Sequence, residues 1–398
     1  MHIWRKNDAS SVASYGKEQT MKLEPFALER WMTAHELSAS YDIAESGILP
    51  LSTNDLLAFE EPEERQAILE GLLETPLGYS EASGSLELRT TLANTYRDCG
   101  PENILVTTGA IEANFLLFNV LLDPGDHVVA VNPAYQQLNS VPRAVGAEVS
   151  LWRVGPENYR YDLDELEHLI TPRTRLIVVN TPHNPTGAML SEEELGRVYG
   201  LAESVRAWVL CDEAYRWLEV PGGDRFSPPA FEYGPSAISV GTISKPFGLP
   251  GLRTGWMAAP AEIVTKCWSM RDYTSLSPGK LSDALAILAF KHQDRIVERN
   301  RKIIRQNLEA TNCFVEERSD FLSWTPPRGG LLALLRYDLD VPSLELANRL
   351  SEEHGVMLAP GSAFGFEYHL RIGIGQDPPV FAEGLRRAGA FLDQLQES

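Results

Sequence analysis

Residues 238–256 read Ile238-Ser239-Val240-Gly241-Thr242-Ile243-Ser244-Lys245-Pro246-Phe247-Gly248-Leu249-Pro250-Gly251-Leu252-Arg253-Thr254-Gly255-Trp256. A short apolar run turns at once into a segment where prolines and glycines pin one lysine. A lysine so constrained does not read as a solvated surface charge. Lysine amines condense with carbonyl groups, and Thr242, Ser244 and Arg253 carry the donors a phosphate needs. The segment therefore describes a site for a phosphorylated carbonyl cofactor, at the end of a strand.

Upstream of it, short apolar runs at 104–107, 127–131, 176–179 and 208–211 alternate with helix-length stretches at 112–122, 162–169 and 192–205. The runs are rich in β-branched residues and nearly without polar alternation, as strands buried on both faces are. Ser191, three residues before Glu194, reads as a capping box. This rhythm predicts βαβ units and a mostly parallel sheet between helices. From about residue 295 the texture changes to a long charged helical stretch, then 329–336, a Pro/Gly-rich 359–365 segment and the run 370–374. That pattern predicts a second, smaller α+β lobe. The expected divisions are a tail at 1–20, an arm at 21–60 that packs on the small lobe, a large domain at 61–294 and a small domain at 295–398.

The chain of 398 residues is long enough for two lobes, and its 43% apolar and 23% charged content is that of a globular protein. A net charge of −20 opposes binding to phosphate backbones and anionic lipid, so neither nucleic acid nor membrane is an expected partner. Cys99, Cys211, Cys267 and Cys313 show neither zinc-site nor disulfide-framework spacing. A reducing cytoplasm and no metal are the expectations. Residues 1–20 have no apolar core for a signal peptide, and Met21 reads as an alternative start.

In an open parallel sheet, ligands bind beyond the carboxyl ends of the strands. After 104–107 comes Thr108-Gly109-Ala110-Ile111, a glycine turn into a helix that offers free N–H groups to a phosphate. Tyr135, in Asn132-Pro133-Ala134-Tyr135, suits stacking on a flat ring and equally reads as a packed rim residue. The loop 180–187 holds Asn184 between two prolines. Asp212, in Asp212-Glu213-Ala214-Tyr215, puts a carboxylate where a strand meets the pocket. Buried there it needs a cation, such as a protonated ring nitrogen, or else it is a helix cap or structural ion pair. With Lys245, these residues describe a pyridoxal-phosphate site.

Seven motifs, in order, resemble those of the class I/II aminotransferases, fold type I of the pyridoxal-phosphate enzymes: GYSEASG at 78–84, TTGAIEA at 107–113, NPAY at 132–135, HNPTG at 183–187, DEAY at 212–215, SKPFGLPGLRTGW at 244–256 and LRIGIG at 370–375. The resemblance implies a large domain with a mostly parallel seven-stranded sheet sandwiched by helices, plus a smaller α+β domain. It further implies pyridoxal 5'-phosphate as cofactor, amino acid and 2-oxo acid substrates, and transamination. Lys245 would carry the cofactor as a Schiff base. Asp212 would pair with the pyridine nitrogen, Tyr215 and Asn184 would bond the ring oxygen, and Tyr135 would stack on the ring. Phosphate would fall to Gly109, Ala110, Ile111, Thr242, Ser244 and Arg253. Tyr79 would reach the phosphate of a neighbouring subunit, making a homodimer with shared sites. Arg371 would take the substrate α-carboxylate. Arg371 and Gly373 share one face of a strand, and the glycine is expected to leave that face open for a ligand.

The arm departs from the family pattern. Ser40-Tyr41-Asp42-Ile43-Ala44-Glu45-Ser46-Gly47 brings carboxylates where neutral groups are usual, and it resembles the capreomycidine synthase-like branch. The segment 271–277 looks like that branch too. This implies an alternative chemistry, in which a hydroxylated arginine is cyclised and Asp42 and Glu45 hold its guanidinium. The plain readings stand beside it: Asp42 as a turn cap and Glu45 as a solvated charge. A third reading, a non-catalytic cofactor-binding sensor, fits poorly with so acidic a chain and so short a leading segment.

Overall fold

The computed structural model describes residues 22–397 except 156–157, 219 and 224. The tail expected at 1–20 lies outside these residues. Seven strands form the central sheet: β1 (Ile104–Thr107), β2 (His127–Asn132), β3 (Glu148–Arg153), β4 (Thr174–Asn180), β5 (Trp208–Asp212), β6 (Ala237–Thr242) and β7 (Gly255–Ala258). Their spatial order is β1-β7-β6-β5-β4-β2-β3. Neighbours run parallel except at β7, which is antiparallel to both β6 and β1.

Five of these strands coincide with the apolar runs, because burial on both faces leaves no room for polar alternation. The other two escape that rule for different reasons. β3 lies at the sheet edge and is half-exposed, with Glu148, Ser150 and Arg153 breaking its apolar content. β7 is wholly buried but only four residues long and opens on a glycine. That glycine is needed: a Cβ on Gly255 would lie 2.3 Å from the Gly109 carbonyl carbon, so its absence lets the turn after β1 close against β7. Ser191 and Glu194 make the reciprocal capping box expected from the sequence.

A four-stranded antiparallel sheet forms the smaller body: β8 (Leu322–Trp324), β9 (Leu332–Tyr337), β10 (Ala359–Pro360) and β11 (His369–Gly373), ordered β10-β11-β9-β8. The leading arm packs here. Leu28, Trp31 and Met32 of α1 (Ala27–His35), with Ile43, Ala44 and Ile48, share one apolar cluster with Leu332, Leu370 and Ile372. Tyr41–Asp42 pairs in parallel with Val356–Met357. Farther along, Leu56 and Leu57 join a cluster with Val106, Phe247 and Phe290 on the side of the large sheet.

Two helices position the site. α2 (Ala110–Leu121) begins in the turn after β1, where Gly109 has φ +80°. α3 (Gln293–Glu316) has 24 residues, about 36 Å at 1.5 Å per residue, and runs along both bodies. Its Asn300 donates to the carbonyl of Pro246 at 2.6 Å, and its Asn307 to those of Ile374 at 3.2 Å and Gln376 at 2.7 Å. One rigid helix thus fixes the lysine loop and the end of β11 relative to each other.

Candidate active site

A cleft of about 420 Å³ opens at the carboxyl ends of β4, β5 and β6, between the large sheet, the arm and β11. Gly109, Ala110, Ile111, Thr242, Ser244 and Arg253 line one end of it. There the N-terminus of α2 presents backbone N–H groups. Thr242 Oγ1 donates to the Thr254 carbonyl at 2.8 Å and accepts from Ser244 Oγ at 2.9 Å, and a Cβ on Gly109 would meet Arg253 Nη2 at 2.7 Å. Hydroxyls, a guanidinium and a helix start thus line the same end of the cleft, a donor set that suits an anion. Glu112 accepts from the Thr108 N–H at 2.6 Å and braces the turn from behind.

Asp212, 5% exposed, closes β5 at the floor of the cleft. It accepts from Asn114 Nδ2 at 2.8 Å and from the Ala214 N–H at 3.0 Å. Burial pushes its carboxyl above the ordinary range, against those two hydrogen bonds. A cation in the cleft would oppose that shift and favour the ionised form. Asn114 Oδ1 is buried without a partner. Asn114 was not among the sequence candidates, although it lies one helical turn beyond the glycine turn, on the face that looks at β5.

Lys245 Nζ donates to Ser46 Oγ at 2.8 Å and to Glu45 Oε1 at 3.3 Å. Burial opposes ionisation of Glu45, but Lys245 and Arg371 beside it, together with its hydrogen bonds, bring its carboxyl below the usual range. The solvated-charge reading of Glu45 is therefore corrected: the side chain is half-buried and turned into the cleft against the lysine. Asp42 lies outside the cleft lining and acts as a turn cap, its Oδ1 accepting from the N–H groups of Ala44 at 2.9 Å and Glu45 at 3.0 Å. Burial, and then Glu45, raise the Asp42 carboxyl to about 6.

Arg371, 1% exposed, reaches the cleft from β11. Its Nη1 donates to Asn184 Oδ1 at 3.2 Å and its Nη2 to the Ala44 carbonyl at 2.8 Å, while Nε is buried without a partner. The expectation for Gly373 is corrected. The space beside it is filled by the arm, since a Cβ there would lie 2.0 Å from the Glu45 carbonyl oxygen and its N–H donates to the Ile43 carbonyl at 2.9 Å. Asn180, another residue the sequence reading missed, receives the Asn184 N–H at 2.9 Å and donates to the Asp212 carbonyl at 2.9 Å. His183 supports the same loop through Thr186 and the Pro133 carbonyl, both at 2.7 Å, and burial lowers it to about 4, so it is neutral.

Tyr135 and Tyr215 also line the cleft, and burial raises both phenols well above their ordinary value. The Tyr135 hydroxyl donates to Glu29 Oε1 at 2.9 Å. Glu29 and Glu36, from α1 and the residue that ends it, face the cleft as well. Tyr79 stands apart, 81% exposed and away from its own chain's cleft. Among the described residues no group of three or more His, Cys, Asp or Glu side chains assembles for a metal, and no helix is long and apolar enough to cross a membrane.

Residues 46–387 match the family model for aminotransferase class I and II. The chain is 32% identical over 360 residues to a capreomycidine synthase of Streptomyces vinaceus, covering 90% of this chain and 91% of that protein. Among solved structures it is similar to a PLP-dependent aminotransferase from Streptococcus suis, with a TM-score of 0.88 and 35% identity over 94% of this chain and 99% of that one. It is also similar to the PLP-dependent cyclase OrfR, with a TM-score of 0.85 and 30% identity over 96% and 100% of the two chains.

Proposed function

The chain belongs to the class I and II aminotransferases, and from that premise we propose that it uses pyridoxal phosphate to transfer the amino group of an amino acid with a cationic side chain. The residues present fit that cofactor. The cradle of Gly109, Ala110, Thr242, Ser244 and Arg253 suits its phosphate, and the buried Asp212 lacks the cation that a protonated ring nitrogen would supply.

The observation that carries the reading is the charge inventory of the cleft. Among the described residues its cations are Lys245, Arg253 and Arg371, and its carboxylates are Glu29, Glu36, Glu45 and Asp212. Arg253 goes to the phosphate, Asp212 to the ring nitrogen, Arg371 to the substrate α-carboxylate and Lys245 to the cofactor aldehyde. Three glutamates, Glu29 and Glu36 exposed and Glu45 half-buried, then remain in the cleft with no cation assigned to them among its described residues, which favours a guanidinium or ammonium group there.

Pyridoxal phosphate, when bound, supplies an aldehyde that captures the amino group and a ring that accepts the electron pair released at Cα. Arg371 would orient the α-carboxylate through the N–H groups that Nη1 and Nη2 do not spend on Asn184 and Ala44. Lys245 Nζ, freed when the substrate amino group takes its place on the aldehyde, would take the proton from Cα and return it to the carbon that had been the aldehyde, beyond the shared nitrogen. Asp212, held by Asn114 and Ala214, keeps the proton on the ring nitrogen. Asn184 and Tyr215 donate to the ring oxygen, and Tyr135 covers the ring face.

The similarity to a capreomycidine synthase and a cyclase supports a second reading, in which the same residues serve cyclisation of a hydroxylated arginine. We infer a homodimer in which the exposed Tyr79 completes the neighbour's phosphate site. We infer also a cytoplasmic location, which four unpaired cysteines favour. The division into a large domain at 61–294 and a small one at 295–398 is part of the same proposal.

Absorbance between 300 and 500 nm, recorded while single amino acids are added to the cofactor-loaded protein, tests the reading. Conversion to the amine form of the cofactor with release of a keto acid from arginine or lysine supports transamination. Water release with the amino group retained supports cyclisation, and no cofactor band at all overturns both.

A further inference from the structure

The cleft constrains the second substrate as well as the first. The Glu45 backbone is clamped on three sides, and its carboxylate is held in the cleft by Lys245 Nζ at 3.3 Å. Asp42 Oδ1 caps its N–H, Arg371 Nη2 holds the preceding carbonyl at 2.8 Å, and the Glu45 carbonyl packs where a Cβ of residue 373 would stand. The guanidinium that receives the α-carboxylate therefore also fixes the glutamate beside it.

Arg371 has capacity for one carboxylate. Nη1 and Nη2 each give one of their two N–H groups, to Asn184 and Ala44, which leaves one N–H on each for a ligand, while Nε is buried without a partner. A second carboxylate, carried by a substrate already bound at Arg371, would share the cleft with Glu45, which lies beside Arg371, and with Glu29 and Glu36. Like charges brought into one cleft raise the free energy of the bound state.

We propose that Glu45 is a specificity-determining residue that bars dicarboxylates, so that the amino acceptor is a monocarboxylic 2-oxo acid of the pyruvate or glyoxylate type. This rests on the transamination reading for its acceptor half, whereas the exclusion of dicarboxylates by Glu45 is a property of the cleft itself.

The test has two parts. In the first, enzyme converted to its amine-loaded form is mixed with pyruvate, glyoxylate, 2-oxoglutarate or oxaloacetate, and kcat/KM is measured for each. The monocarboxylic acids are expected to lead by about 100-fold, and E45Q to shrink the gap by at least about tenfold while E45D preserves it. In the second, the loaded enzyme is titrated with maleate, which cannot react. Wild type is expected to bind it at least about tenfold more weakly than E45Q does. Equal use of 2-oxoglutarate and pyruvate by wild type overturns the proposal, as does an unchanged preference in E45Q. If no acceptor regenerates the cofactor but E45Q still gains maleate binding, the transamination reading and the acceptor assignment fail while the role of Glu45 stands. If maleate binding is equal in the two proteins, that role fails.

Discussion

Replacing Asn114 with alanine isolates what holds the catalytic carboxylate. Asn114 Nδ2 donates to Asp212 Oδ2 at 2.8 Å inside the protein, and the Ala214 N–H is the remaining donor to that carboxylate. A hydrogen bond to a charged group contributes about 1.5–3 kcal/mol, and here the acceptor stays buried after the donor is gone. Part of that energy sets how firmly Asp212 keeps its charge, since burial already pushes its carboxyl upward. Loss of the Asn114 bond pushes it further in the same direction and weakens its hold on the ring proton. At 1.36 kcal/mol per tenfold, N114A should lose roughly 10- to 150-fold in kcat/KM for the amino donor. The assay is steady-state kinetics with keto-acid detection, alongside a thermal melt that separates site damage from unfolding. KM should change less than kcat, because Asn114 touches Asp212 and not the α-carboxylate site. A folded N114A enzyme with kcat/KM within about threefold of wild type would refute this account of Asp212, given the loss expected for a charged hydrogen bond.

R371K keeps a positive charge but loses the fork that serves Asn184, Ala44 and the substrate together. About 3 kcal/mol, or roughly 100-fold, should disappear from kcat/KM for every amino donor, read by the same kinetics. D42N keeps an oxygen for the Ala44 and Glu45 N–H groups without burying a charge. The Asp42 carboxyl is raised from 3.8 to about 6 in the folded chain, so between those values the native state holds the proton that the unfolded state has released. Wild type therefore gains stability from this group at low pH and loses it as pH rises through 6. The melting temperature of D42N should exceed that of wild type at pH 7.5 and converge with it near pH 4, and parallel curves would sink the idea. G373A forces a methyl group into the Glu45 carbonyl, at 2.0 Å. It should cost about 1–3 kcal/mol in denaturant unfolding and raise the donor KM as the arm shifts.

Much of this protein is legible in its sequence because local rules decide it. Strands buried on both faces must be continuously apolar, so β1, β2, β4, β5 and β6 announce themselves. Strand-end loops that hold a ligand need prolines and glycines, so Lys245, Asn184 and Gly109 stand out, as do the residues that follow each strand. β3 and β7 do not follow the rule: an edge strand tolerates charge, and a strand opening on glycine is defined by what packs against it.

Tertiary structure decides whatever depends on two distant segments meeting. Asn114 is an ordinary helical residue until α2 sets it against the end of β5. Glu45 reads both as a solvated charge and, by resemblance, as a guanidinium contact until the arm folds over β11 and aims it at Lys245, 200 residues away. Gly373 looks like space left for a ligand, and only the packed arm shows that the space belongs to Glu45. In each case the meaning of the residue lies in a partner brought close by burial of apolar surface elsewhere in the chain. Spacing along the sequence carries no record of that partner.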